Sequence, residues 1–383
     1  MKTVFLKNLF KRNYMRIYSL FHPIEKKVTF ISFSGLQYSA DPRAISEKLH
    51  ILYPEYKIVW MLHANIKKQT DIPEYVKVVN NVYEYLRAVA TSCAFVTTTG
   101  IKPDINKRKG QFFIQTWHGD RGFKKCLYEN TEHKKDYNIV DNKVTDICVA
   151  GSDFGVDFYR KAFKYEGEIL REGMPKNERL LLDDEGEISN LRQKLGIPDQ
   201  CRILTYAPTF RDTCTQCQPT VIDIEQTLCA LEETWNEPWI CLIRAHAASK
   251  GIVAEVDNRR IFDVSSVSDM ADVLLVSDML ITDYSSCAGD YILCKKPVVL
   301  AVFDKDEYER ESRSLKMPIE ETGFYIAYNQ DELNNLIKNT TEEEYAHRCE
   351  AVMEYYGTAE SGKASEIICH RIDDAYKKYI LNK

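Results

Sequence analysis

The chain has 383 residues, 44% of them hydrophobic and 28% charged, enough apolar chain for more than one core, which excludes a disordered protein. Its formal net charge of −6 argues against a nucleic-acid-binding protein, which would carry a basic excess. Twelve cysteines at irregular spacing, no recognisable cleavable leader and no apolar run of about eighteen residues lead us to expect a reducing, cytoplasmic setting.

In chain order, residues 1–27 are rich in Lys and Arg. Leu6, Phe10, Ile17 and Phe21 fall near one helical face, with Lys7, Lys11, Arg12 and Arg16 elsewhere. Two readings stay open for this helix: it lies in an anionic membrane interface, or it packs on its own domain. Apolar strands are then predicted at 28–33, 57–62, 95–99, 112–115 and 146–150, alternating with helical patterns, so that 28–177 reads as a first α/β domain. A charged linker helix follows from Glu178 to Leu195, closed by Gly196 and Pro198, with the linker spanning 178–200. Strands near 203–207, 239–244, 260–263, 279–282 and 297–302 define a second α/β domain, 201–383. Its polar tail from Thr341 reads as helices, the last a candidate to cross back to the first domain.

Chemistry-bearing residues cluster just behind four of these strands. Gln115-Thr116-Trp117-His118-Gly119-Asp120 follows Phe112–Ile114, with Arg121, Lys124 and Lys125 beyond it. Thr209, Arg211 and Asp212 end the 203–207 region; Arg244 and His246 end the strand beginning at Trp239; Asp283-Tyr284-Ser285-Ser286 follows Met279–Thr282. In α/β sheets ligands bind beyond the carboxyl ends of strands, where backbone N–H groups and helix dipoles favour an anion. Asp283 and the serines are expected to cap a helix running to Lys295, a structural role that coexists with phosphate binding. Cys214-Thr215-Gln216-Cys217 is the lone C-x-x-C, and without a second ligand pair at zinc spacing it reads as a loop coincidence. His22, His50, His63, His133, His347 and His370 lie off the motif strands and read as structural or surface groups.

These motifs resemble the CDP-glycerol glycerophosphotransferase family of teichoic acid and capsule polymer enzymes. The likeness rests on Trp117-His118-Gly119, Ala207-Pro208-Thr209-Phe210-Arg211-Asp212, Arg244-x-His246 and Thr282-Asp283-Tyr284-Ser285-Ser286 with Asp290-Tyr291. Ser32-Phe33-Ser34-Gly35, Tyr38-Ser39-Ala40-Asp41-Pro42 and Gly173-Met174-Pro175-Lys176-Asn177 extend it over nearly the whole chain. Two departures stand out: Asp120-Arg121-Gly122-Phe123-Lys124 replaces the usual Thr-Pro-Leu-Lys after His118-Gly119, and Ala247 replaces the usual Pro after His246.

The resemblance implies a GT-B-like architecture, two Rossmann-like domains facing across a cleft, with an N-terminal amphipathic helix. It also implies a CDP-glycerol or CDP-ribitol donor, a polyprenyl-linked or glycan acceptor, release of CMP, and a peripheral location on the inner membrane face. Such a transfer needs positioning, charge neutralisation and a base. His118 is expected as the base and His246 beside the leaving CMP. Thr209, Arg211, Arg244, Asp283, Ser285 and Ser286 are expected at the donor; Gly119, Asp120, Lys124 and Arg313 are weaker candidates for acceptor or phosphate contacts. No cofactor is required by this chemistry, and Mg²⁺ on the pyrophosphate near Asp120 or Asp283 is an open alternative. A sugar-transferring GT-B enzyme and a catalytically degenerate nucleotide-binding paralogue are the competing readings. Oligomeric state, glycerol against ribitol, and one added unit against many are not legible.

Overall fold

The computed structural model describes residues 2–67, 72–102, 104–130, 141–182, 184–198, 200–209, 222–245, 259–311 and 314–382. The chain divides into two units. The first comprises Met1–Asp120, Leu127–Glu178 and Ala359–Lys383; the second comprises Arg121–Cys126 and Arg179–Thr358. The ranges 28–177 and 201–383 drawn from sequence were continuous, whereas here 121–126 groups with the second unit and 359–383 with the first.

Among the described residues of the first unit, seven strands form one parallel sheet: β1 (Glu25–Ile31), β2 (Lys57–Met61), β3 (Val76–Val79), β4 (Ser92–Thr97), β5 (Phe112–Gln115), β6 (Ile147–Ala150) and β7 (Glu168–Arg171). Their order is β3-β2-β1-β4-β5-β6-β7. The strands are apolar on both faces because both are covered. Val28, Phe30, Trp60 and Val96 pack with Ile368 and Ile372 of the helix Ala364–Leu381. Ile31, Val59, Phe95 and Phe113 pack against Leu86 and Val89 of the helix Val82–Thr91 and against Met15 of the N-terminal helix.

That N-terminal helix runs Lys2–Phe21 and ends before β1. Both sequence readings hold a part of it. Met15 is fully buried, Tyr14 and Tyr18 lie against the same core, and Lys11 pairs with Asp104 at 3.0 Å. The opposite face leaves Leu6, Leu9, Phe10, Ile17, Leu20 and Phe21 exposed.

Among the described residues of the second unit, six strands form a parallel sheet in the order β10-β9-β8-β11-β12-β13. They are β8 (Arg202–Ala207), β9 (Trp239–Ile243), β10 (Ile261–Asp263), β11 (Met279–Thr282), β12 (Val298–Ala301) and β13 (Tyr325–Ala327). One face carries Leu204, Tyr206, Met279 and Ile281 against the helix Ile224–Trp235, with Leu333 and Ile337 of the helix Gln330–Asn339. The other carries Ile203, Ile240 and Leu242 against the helix Met270–Val276, with Leu191 and Leu195 of the helix Glu185–Leu195. The linker helix expected from Glu178 is two elements, a 3₁₀ segment Pro175–Leu181 and a helix capped by the Asp184 side chain. Gly196 closes it in the left-handed region at φ 68, as its sequence position predicts.

Candidate active site

In both sheets the order reverses beside the first strand of the unit, between β1 and β4 and between β8 and β11, and the chemistry-bearing loops leave the carboxyl ends of strands at and beside these points. In the first unit Phe33, Ser34 and Gly35 turn the chain after β1 with φ of 44, 58 and 89. The Phe33 N–H donates to Thr98 Oγ1 at 2.9 Å. His118, half-buried after β5, reaches across to the loop after β4, its Nδ1 lying 2.9 Å from the Thr98 carbonyl oxygen. A carbonyl can only accept, so Nδ1 carries the proton and the neutral ring holds its lone pair on Nε2. The rings of Trp117 and Phe33 flank the imidazole at 4.1 and 5.3 Å between centroids. Trp117 is held at φ 56, a conformation costly for a bulky residue, and its ring packs against Phe158 and Phe163.

Two further motifs of the first unit form a structural hub. The Asp41 carboxylate accepts from Lys176 N at 3.0 Å, and Glu360 accepts from Met174 N at 2.9 Å and from Asn177 Nδ2 at 3.1 Å. Sequence spacing offered no signal for Glu360, which lies 183 residues from Asn177. Asp120 is buried, and its Oδ1 occupies the space that a Cβ on Gly155 would need, 1.5 Å away.

In the second unit Asp283 departs from its expected capping role. Its carboxylate accepts from Thr209 N at 2.9 and 3.1 Å and from Tyr284 N at 2.6 Å, so it ties the loop after β8 to the turn after β11. The N-cap position is Ser286, which makes no side-chain capping bond. The helix is Cys287–Tyr291, continued as a 3₁₀ turn to Cys294 with Lys295 closing it at φ 53. Tyr284 stacks on Tyr308 at 3.7 Å, and Lys124 lies over the Tyr308 ring at 5.8 Å. Lys124 therefore sits against this stack within the second unit rather than on a plain solvated face. Arg121, 1% exposed, donates from Nε to the Gly289 carbonyl at 2.7 Å and lies 3.7 Å from Asp290.

Arg244 follows β9 with its main-chain N–H on the Tyr206 carbonyl at 2.9 Å, and its Nη1 donates to the Ser265 carbonyl. Burial lowers its pKa, against the pull of Asp269 and Asp263. Its Nε is buried without a hydrogen-bond partner among the described residues. A desolvated guanidinium in this state gains most from an anion.

Of the residues singled out from sequence, His246, Arg211 and Arg313 lie outside the described residues, as do His133 and the Cys214 to Cys217 loop. His118, Gly119 and Asp120 end β5 in the first unit; Thr209, Arg244, Asp283, Ser285 and Ser286 lie at strand ends of the second. Thr209 is held by its main-chain N–H on the Asp283 carboxylate. Among the described residues no group of three or more His, Cys, Asp and Glu side chains could hold a metal ion, and both Asp283 oxygens face backbone N–H groups. Among the described residues no helix is long and apolar enough to cross a membrane.

Two Rossmann-like parallel sheets in one chain, each carrying polar chemistry at its strand ends, define a GT-B-like α/β protein. The chain belongs to the CDP-Glycerol:Poly(glycerophosphate) glycerophosphotransferase family, whose model matches residues 14–374. It is 28% identical over 371 residues to a teichoic acid poly(glycerol phosphate) polymerase of Staphylococcus epidermidis, covering 90% of this chain and 50% of that protein. It is 27% identical over 370 residues to a teichoic acid glycerol-phosphate transferase of Staphylococcus aureus, covering 91% and 93%. The chain thus spans about half the length of some curated relatives it matches and nearly all of another. A solved structure of the wall teichoic acid polymerase TagF, soaked with CDPG, superposes with a TM-score of 0.83 at 25% identity, covering 98% of this chain and 97% of that one.

Proposed function

We propose that this chain transfers glycerol phosphate from CDP-glycerol to a hydroxyl of a teichoic-acid-like acceptor, releasing CMP. The observation that carries the reading is His118, whose Nδ1–H is fixed on the Thr98 carbonyl so that Nε2 is the basic nitrogen, in a chain whose family is named for this reaction. The acceptor oxygen attacks the distal phosphorus of the donor, the bond from that phosphorus to the bridging oxygen breaks, and the electron pair leaves with CMP. His118 Nε2 takes the hydroxyl proton. The second unit supplies charge neutralisation. Arg244 carries a desolvated guanidinium, Ser285 and Ser286 stand at the turn that Asp283 anchors, and Arg211 and His246 are assigned to the pyrophosphate and the leaving CMP from their places in the sequence.

The acceptor is proposed to be membrane-linked, with the protein peripheral on the inner face of the membrane. The exposed apolar stripe of the helix Lys2–Phe21 supports that location, flanked by exposed Lys7, Arg12 and Arg16.

The test is CMP release from CDP-glycerol and from CDP-ribitol with a glycerol-phosphate-primed acceptor. CDP-glycerol is expected to turn over, His118→Ala to lower kcat by roughly 10²- to 10⁴-fold, and Arg244→Ala to raise the donor KM. Turnover of a nucleotide sugar with release of a nucleoside diphosphate, and none of either CDP-polyol, would overturn the proposal.

A further inference from the structure

The proposed base depends on a loop conformation that His118 does not secure by itself. One buried pair behind it does so. Gln115, the last residue of β5 and fully buried, donates from Nε2 to the Thr99 carbonyl at 3.1 Å and to Asp141 Oδ1 at 2.6 Å; its Oε1 accepts from Trp117 N at 2.8 Å. The opposite amide orientation would set a carbonyl oxygen against two other acceptors, so the network itself assigns this one. Asp141, 2% exposed, also accepts from Ile101 N at 2.9 and 3.1 Å.

The carboxylate of Asp141 therefore grips the loop after β4 directly, at Ile101, and the loop after β5 through Gln115. Those two loops carry the Thr98 carbonyl and the imidazole that bonds to it. Trp117, between Gln115 and His118, sits at φ 56, and the Gln115 side-chain oxygen Oε1, accepting from its N–H, holds the strained residue in place.

We propose that Asp141 and Gln115 are positioning residues for His118, an amide–carboxylate clamp that holds Trp117 in the left-handed region and keeps the imidazole aimed with Nε2 towards the acceptor hydroxyl. This rests on the base assigned to His118. Neither residue touches the reacting atoms. Asp141 lies 26 residues from Gln115 in the chain and belongs to none of the motifs that carry the family likeness. Burial raises its carboxyl to about 6 against the hydrogen bonds from Gln115 and the Ile101 N–H. The titratable groups that face it are Cys148 and Tyr159, both kept neutral by burial. The clamp is thus charged at neutral pH and loses its charge as pH falls through about 6.

The test compares wild type, Asp141→Asn, Gln115→Met and His118→Ala by kinetics, by the ¹⁵N imidazole signals of His118, and by thermal melting. Asp141→Asn is expected to lower kcat about 10- to 100-fold with KM unchanged, to remove one proton from the acid limb of the kcat–pH profile, and to let His118 populate both neutral tautomers. Gln115→Met is expected to do the same with a larger loss. Wild-type kcat and an unchanged His118 tautomer in both variants, with His118→Ala inactive, would overturn the clamp and leave the base standing. Full activity in His118→Ala would instead overturn the base, and the tautomer measurement would still decide the clamp. Should Gln115→Met fail to fold, Asp141→Asn carries the same readouts, since an Asn amide oxygen can still accept from Ile101 N.

Discussion

At the scale of single residues, buried polar groups with long-range partners decide the local geometry. Asp141 illustrates the sign of the linkage. Its carboxyl rises from 3.8 to about 6 on folding, so between about pH 4 and 6 the folded state binds more protons than the unfolded one. Stability then falls as pH rises through that window, by about 3 kcal/mol in total. The stability difference between wild type and Asp141→Asn, measured by urea unfolding, is expected to shift by about 1 kcal/mol in favour of the variant between pH 5 and pH 7. A pH-independent difference would show that Asp141 is not the titrating group. Gly155 is the second case. A Cβ there would lie 1.5 Å from Asp120 Oδ1, so the buried Asp120 side chain would have to move to admit it. Gly155→Ala is expected to destabilise by about 1–3 kcal/mol, read as a lowered urea midpoint.

At the scale of elements, the N-terminal helix divides its labour by face. Met15, Tyr14 and Tyr18 dock it on the core of the first unit, and Met15→Ala is expected to cost about 2–5 kcal/mol. The outward stripe of Leu6, Phe10, Ile17 and Leu20 contributes little to that core. Changing all four to Ser is expected to leave the melting temperature within about 2 °C of wild type while abolishing co-sedimentation with anionic vesicles. Retained vesicle binding would move the membrane contact elsewhere. The turn after β11 follows a similar logic: Asp283 spends both oxygens on main-chain N–H groups, so its substitution acts on the placement of Thr209 and Tyr284 together.

At the scale of the molecule, the C-terminal segment belongs to the first unit although it follows the second in the chain. Ile368, Cys369 and Ile372 complete the core under β1, β2 and β4, and Glu360 holds the Met174 to Asn177 turn. Removing 359–383 strips two fully buried isoleucines and these bonds, a loss of several kcal/mol confined to the first unit. Calorimetry is expected to show one transition lowered and the transition of the second unit preserved. A uniform drop in both would show that the units unfold together.

Sequence alone determined the fold class, the strand ends that carry chemistry and the family, because strands covered on both faces are near-continuous apolar runs and the loops behind them keep their motif residues in local order. The strands it missed, β3, β7 and β13, lie at sheet edges and are short, with too few apolar positions to stand out. The bonds these strand-end residues make were less legible than their positions behind the strands. Asp283 looked like a helix cap until the loop after β8 was seen to bond to it; Asp141 and Glu360 carry no local pattern, and Gln115, which opens the motif ahead of His118, gave no sign in the sequence of its bond to Asp141. Their roles rest on partners distant in the chain, Asp141 26 residues from Gln115 and Glu360 186 from Met174, brought into hydrogen-bonding distance only when the sheets close their cores. A carboxylate's neighbours in the chain do not reveal which main-chain N–H groups burial will oblige it to satisfy; only the tertiary structure decides that.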